Sequence, residues 1–175
     1  MDPDAEEVLT RPALEALYTR LEKPLFNVLY HWVWDAEEAH DLVQESFLRL
    51  WKMRGRVKME TVEPLAYRIG CNLAANRIRT RKLWRMANLE AARAYISPAR
   101  GPEHRLEQSQ KRDAVKSAVL ALPERLRRVV MLCEYSGMSY KEIAEGLQIP
   151  EGTVGSRRSA AMKRLRSDLA PLMEQ

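Results

Sequence analysis

Within eleven residues toward the C-terminal end lie Thr153, Ser156, Arg157, Arg158, Ser159 and Lys163, hydroxyls and cations that one helix can carry together. Groups of these types hydrogen-bond to base edges in the major groove of duplex DNA or pair with its phosphates. What would position them lies upstream. Ser139 followed by Glu142 is a capping-box pattern, so a helix is predicted from about Tyr140, with Ile143, Ala144 and Leu147 facing inward. Gln148, Ile149 and Pro150 break the period, and Pro150 suits the first turn of a following helix.

That second helix starts near Glu151 to Thr153 and turns Val154, Ala161, Leu165 and Leu169 to the core. Ala144 is small enough for a close crossing, so the pair is predicted to be a helix-turn-helix whose second member enters the major groove by its first half. Thr153, Ser156, Arg157, Arg158 and Ser159 then face base edges and phosphates. Lys163, Arg164 and Arg166 lie farther along and suit phosphates or a solvated face. An ordinary helical hairpin with a charged exterior is the alternative.

A second cationic block lies nearer the middle. Arg68, Arg77, Arg79, Arg81, Lys82 and Arg85 fall between Arg68 and Leu89 with no acidic residue among them. Residues 1–45, by contrast, hold eleven acidic and three basic side chains, so the net charge of +5 divides into −8 in front and +13 behind. The block suits a polyanion and the acidic front suits a basic protein surface, unless both are merely solvated.

Other chemistries find little support. Cys71 and Cys133 lack C-x-x-C spacing, and His31, His40 and His104 show no ligand spacing with them, so no metal, redox pair or cofactor is expected. Clustered carboxylates and phosphate loops are missing from the sequence, which disfavours a nucleic-acid enzyme. No apolar run approaches a membrane span, and the acidic amino terminus does not resemble a signal peptide; a cytoplasmic protein without direct membrane insertion is expected.

The supporting elements read as all-α. Leu14, Leu17, Leu21, Leu25, Val28, Leu29 and Trp32 recur at helical spacing, with a kink or break predicted near Pro24. Asp35 caps a second helix that buries Ala39, Leu42, Val43, Phe47, Leu50 and Trp51 and shows Asp41, Gln44, Glu45 and Arg49 on its other face. Met53 to Glu63 reads as a loop, and Pro64 opens a third helix through Tyr67, Ile69, Leu73 and Ile78 into the basic block. SPARGP at 97–102 is a breaker cluster. The pattern predicts two small helical domains, 8–90 and 112–172, joined by a flexible linker at 91–111.

The strings DAEEAHDLVQESFLRLW (35–51), EPLAYRIGCNLAANRIRTRK (63–82), LPERLRRVVML (122–132) and SYKEIAEGLQIPEGTVGSR (139–157) resemble, in order and spacing, regions two and four of bacterial RNA polymerase sigma factors. The short chain, with neither a region one extension nor a region three domain, looks like the extracytoplasmic function (ECF) group. The resemblance implies that Asp41, Gln44, Glu45 and Leu48 dock on the clamp helices of the largest subunit of core RNA polymerase, with a further contact to the flap. It implies that the third helix and the loop before it hold the promoter −10 element as a single strand. Asn72 would line a pocket for a flipped base, with Arg68 and Asn76 beside it and Arg77, Arg79, Arg81 and Lys82 on the adjoining phosphates. The helix-turn-helix would read the −35 element as duplex DNA, polymerase would supply all catalysis, and an anti-sigma factor, often membrane-anchored in this group, would hold the protein inactive.

Three places depart from the pattern. Gln148 stands where the turn often has Gly, Gly155 where a cation is common, and Ala66 where region two has Trp. The first predicts a turn of different shape, the second a shift of base contacts to Ser156, Arg157 and Arg158, and the third a local change in packing. A stand-alone dimeric regulator with the same helix-turn-helix is the competing class.

Overall fold

The computed structural model describes residues 9–87 and 103–173, and these form seven α-helices: α1 (Arg11–Val33), α2 (Ala36–Lys52), α3 (Val62–Ala87), α4 (Glu103–Ala121), α5 (Glu124–Tyr135), α6 (Tyr140–Leu147) and α7 (Glu151–Met173). Breaker residues 97–102 lie outside the described residues.

Helix α1 begins where the Thr10 hydroxyl accepts from the Ala13 N–H, and it buries Leu17, Leu21, Leu25, Val28, Leu29 and Trp32 along one stripe. Of the kink or break expected near Pro24, the break does not occur, since one helix runs through the proline. Leu21, Leu25 and Val28, buried on both sides of the proline, hold the two halves in one helix against α2 and α3 despite the lost backbone hydrogen bond. Trp34 then ends α1 in the left-handed region (φ 59°), its N–H bonded to the Tyr30 carbonyl. Asp35 immediately caps α2 by accepting from the Glu38 N–H at 2.9 Å, and Glu37 and Glu38 sit in the first turn, where the helix dipole favours anions.

Ala39, Leu42, Val43, Phe47 and Leu50 are buried as the periodicity predicts, whereas Trp51 is only half-buried, beneath the Arg54 guanidinium. The expected loop contains two 3₁₀ turns, Arg54–Arg56 and Met59–Thr61. Helix α3 packs on both α1 and α2, and at Gly70 a Cβ would meet Leu25, Leu29 and Ser46 side-chain atoms at 3.2–3.3 Å.

In the C-terminal unit, α4 starts at Glu103, so the last part of the expected linker, 103–111, is helical. Among the α4 residues whose side chains are described, Ala118 and Val119 are the buried ones. Arg127 of α5 is 7% exposed and donates to the Leu120 and Leu122 carbonyls at 3.1 Å, closing the C-terminal end of α4; burial holds its guanidinium below its ordinary basicity.

The two units are in contact, a relation the sequence left open. Tyr67, buried in α3, donates through its hydroxyl to the Ser136 carbonyl. His31 of α1 stacks on Tyr135 of α5 at 3.9 Å between ring centroids, a packing role, and Trp32 lies under Arg127. Cys71 is fully buried, its thiol pushed up to about 12 by burial, and Cys133 is half-buried.

Urea unfolding can probe both the turn and the seam. Gln148 ends α6 in the left-handed region (φ 55°), so Gln148→Gly should raise stability by up to about 1 kcal/mol. Gly70→Val should lower it by about 1–3 kcal/mol, because the added methyls crowd a filled seam.

Candidate nucleic-acid interface

The capping box opens α6 as predicted. The Ser139 N–H donates to Glu142 at 2.7 Å, the Glu142 N–H donates to the Ser139 hydroxyl, and the hydrogen bond from that hydroxyl holds the Glu142 carboxyl below its usual range. At the other end the Ile149 N–H reaches the Ala144 carbonyl at 3.0 Å around left-handed Gln148, so the turn keeps its tight shape with a residue other than glycine. The expected reshaping of the turn does not occur.

Val154 and Ala161 are fully buried and fix the rotation of α7. Ser156, Ser159 and Lys163 are therefore exposed together, and Thr153 and Arg157 are half-exposed beside them. A shallow concavity is lined by Gly155, Arg158, Ser159, Met162, Lys163 and Arg166. The Ser156 hydroxyl donates to the Thr153 carbonyl, which leaves its lone pairs outward. Arg158 differs from its neighbours: it forms an ion pair with Glu134 of α5 at 2.9 Å, which fastens α7 to the helix behind it.

The second surface is one face of α3. At about 100° per residue, Arg68, Asn76 and Arg79 fall within about 40° of Asn72. Asn72, Asn76 and Arg79 are exposed, Arg68 is half-buried, and Arg79 donates to the Asn76 side-chain oxygen at 3.2 Å. Arg77 and Arg81 lie about 140° and 180° away round the helix. They converge on Glu38 at the start of α2, so they face away from Asn72, although both stay partly exposed. Lys82 is exposed between the two faces.

The third surface is on α2. Asp41, Gln44 and Leu48 are exposed, Leu48 to 60%, while Glu45 is half-buried and paired with Arg49. Beside them α1 and α2 form a groove of 490 Å³ lined by Leu14, Tyr18, Phe47, Leu48 and Trp51, with Arg11, Glu15 and Gln44 at its polar parts. The α1 contribution was not foreseen, since Leu14 reads only as core periodicity and Tyr18 falls outside that stripe.

Also unforeseen are groups of the C-terminal unit that meet the α3 face. Arg128 donates to the Asn72 side-chain oxygen at 2.6 Å, and Glu124 accepts from Arg79 at 3.3 Å. Gly146 of α6 sits on Pro64; a Cβ there would lie 2.9 Å from the proline Cβ and 3.1 Å from its carbonyl oxygen. The one available signal was a glycine inside a short helix, where it is disfavoured unless something approaches closely.

Two family models match this chain, Sigma-70 region 2 over residues 17–83 and Sigma-70 region 4 over residues 112–165. Among curated relatives, the RNA polymerase sigma-H factor of Pseudomonas aeruginosa is 27% identical, covering 93% of this chain and 89% of the relative. The ECF RNA polymerase sigma-E factor of Haemophilus influenzae is 30% identical, covering 93% and 90%. The fold is shared with CnrH, solved in complex with the cytosolic domain of CnrY (TM-score 0.64, 23% identity, 93% of this chain and 90% of that one). It is shared as well with the sigma factor RpoE of Bartonella quintana, solved with the anti-sigma factor NepR (TM-score 0.62, 20% identity, 89% and 96%). With both regions present in order and this likeness running nearly end to end, the chain belongs to the bacterial RNA polymerase sigma factors of the extracytoplasmic function group.

Proposed function

We propose that this sigma factor divides promoter recognition and polymerase binding among its α7, α3 and α2 surfaces. Residues 8–90 serve as region two and 112–172 as region four. The observation that carries the reading is the α3 face, where two carboxamides, Asn72 and Asn76, stand in line between two arginines, Arg68 and Arg79. An amide both donates and accepts, which suits the edge of an unpaired base, and the flanking guanidinium groups suit its phosphates. Unstacking a base costs a few kcal/mol, an amount that pocket contacts and phosphate neutralisation offset without nucleotide hydrolysis by this chain. Lys82 supports the same strand from the edge of that face. Arg77 and Arg81 act first as the clasp on Glu38 and reach phosphates only from the far side.

Region four reads the −35 duplex with Thr153, Ser156, Arg157 and Ser159, while Lys163 takes a phosphate and Arg158 chiefly positions α7. The α2 surface of Asp41, Gln44, Glu45 and Leu48 docks on the clamp helices of core polymerase. Leu48 is its apolar anchor and the α1 groove its extension. Contact with the flap follows by family analogy. All catalysis belongs to polymerase, so this chain is a recognition factor and not an enzyme. That two structural neighbours were solved with partners, one of them named as an anti-sigma factor, supports an anti-sigma partner for this chain too. No helix among the described residues is long and apolar enough to cross a membrane, which is consistent with a cytoplasmic factor held at the inner membrane only through such a partner.

Transcription in vitro with sigma-free core polymerase over a library of promoter fragments tests the reading. Specific initiation should require this protein, and Arg157→Ala should lower promoter affinity roughly 5- to 100-fold. Asn72→Ala should reduce open-complex formation while leaving core binding intact. Leu48→Asp should weaken core binding by about 30-fold or more, as loss of a central anchor does. Protection of a duplex operator by the protein alone, with no polymerase-dependent transcript, would instead establish the dimeric regulator.

A further inference from the structure

Among the described residues, the three most exposed large apolar side chains stand together at the end of α3: Leu83, Trp84 and Met86, at 61%, 66% and 62%. Grouped exposure of this kind marks a contact surface, whereas single exposed apolar residues need no explanation.

Helical phase says which contact. At about 100° per residue, Leu83 and Met86 fall about 20° and 40° from Asn72, on either side of its line. The inward residues of the same helix, Tyr67, Leu73, Ala74 and Ile78, lie about 100° or more from that line, so the two exposed side chains are no part of the core stripe. They prolong instead the row of Arg68, Asn72, Asn76 and Arg79, about one and two turns beyond the last arginine. Resting on the assignment of that row to the −10 strand, we propose that Leu83 and Met86 form an apolar seat for a further base of the same strand, held by stacking and not by hydrogen bonds.

Charge selects a nucleic acid as the occupant. Arg79, Arg81 and Lys82 stand within about one turn of Leu83, and residues 68–89 contain no acidic side chain. Cations around an apolar patch suit a ligand that carries phosphates beside flat apolar faces, as an unpaired strand does. Unpairing strips a base of its stacking neighbours, and leucine and methionine are among the side chains that proteins insert against base steps. The amides of the row read a base edge, and the apolar end restores lost stacking whatever the base. Leu83 lies about 16 Å along the helix from Asn72, the length of about five stacked nucleotides and of fewer in a stretched strand. The seat therefore grips the strand at a second point, roughly three to five nucleotides from the base at Asn72.

The test uses holoenzyme assembled from the full chain and core polymerase on a promoter found in the transcription experiment, with thymine placed in turn at each non-template position of the opened region. Permanganate attacks an unpaired thymine from its face, so a thymine seated on Leu83 and Met86 should be protected. Leu83→Ala combined with Met86→Ala keeps good helix formers in place. It should raise the reactivity of one thymine several-fold and shorten the life of the open complex about 5- to 10-fold, with core binding unchanged. Asn72→Ala should act at a different position, about three to five nucleotides away. Trp84→Ala removes an equally exposed apolar side chain about 100° round the helix from Leu83 and should change either position less than about twofold. If Asn72→Ala acts and the double variant does not, the seat is wrong while the face keeps its role; if neither acts, the reading of the whole face falls and the seat with it. A Trp84→Ala effect equal to that of the double variant would also overturn the proposal. Loss of core binding in the double variant would assign the patch to polymerase instead. Sedimentation of the free wild-type protein, but not the double variant, with phosphatidylglycerol vesicles would assign it to an anionic lipid surface, and either result overturns the seat.

Discussion

The approach of α6 to the start of α3, possible because residue 146 has no side chain, is the constraint on which the arrangement of the two halves turns. Around it the cores of both units form one continuous cluster, from Leu9 and Trp32 through Tyr67 to Leu132 and Ile143. Tyr67 belongs to α3, yet its hydroxyl is satisfied by a carbonyl of the other unit. Arg127 belongs to α5, yet its guanidinium lies over Trp32 of α1. The Tyr67 hydroxyl would lose its partner if the units stood apart, and a buried polar group without its partner carries the full cost of lost hydration, whereas Arg127 keeps its bonds to the Leu120 and Leu122 carbonyls of its own unit.

Charge is divided between the units in a related way. A helix with six cations and no anion between residues 68 and 89 repels itself unless counter-charges come from outside. One face is neutralised permanently by Glu38, which is largely enclosed and holds both Arg77 and Arg81. The opposite face is neutralised by Glu124, a partly exposed carboxylate of the other unit. Exposed ion pairs of this kind contribute little net stability and are screened by salt. The first set therefore suits architecture, and the second suits exchange with another anion.

Much of this was legible in the residues themselves. The Ser139 and Glu142 pair, Asp35 and most of the apolar spacings of α1, α2 and α7 fix local structure through contacts between sequence neighbours, and they reappear as expected, although Leu14, Trp51, Leu165 and Leu169 are only half-buried. What could not be read depends on groups distant in sequence. Nothing near Asn72 announces Arg128, 56 residues away, and nothing near Arg77 announces Glu38. The same holds for Pro24, where packing on two other helices overrides a local breaker, and for Gln148, which takes a glycine conformation because the flanking helices demand the turn. The Ala66 departure has a local answer: the residue is fully buried, and a small side chain there leaves room for the neighbouring helices.

The contacts within each unit differ in kind from those between the units. The buried stripes within each unit are apolar, whereas the contact between the units mixes buried anchors with exposed arginine contacts to Asn72 and Glu124. Interfaces between domains of one chain are commonly polar and yield to relative motion. An interface of this composition can be opened by a partner that offers each half a better surface, because moving a two-state balance from mostly closed to mostly open takes about 5.5 kcal/mol of differential binding. The groove beside Leu48 and the outward serines of α7 lie clear of that contact.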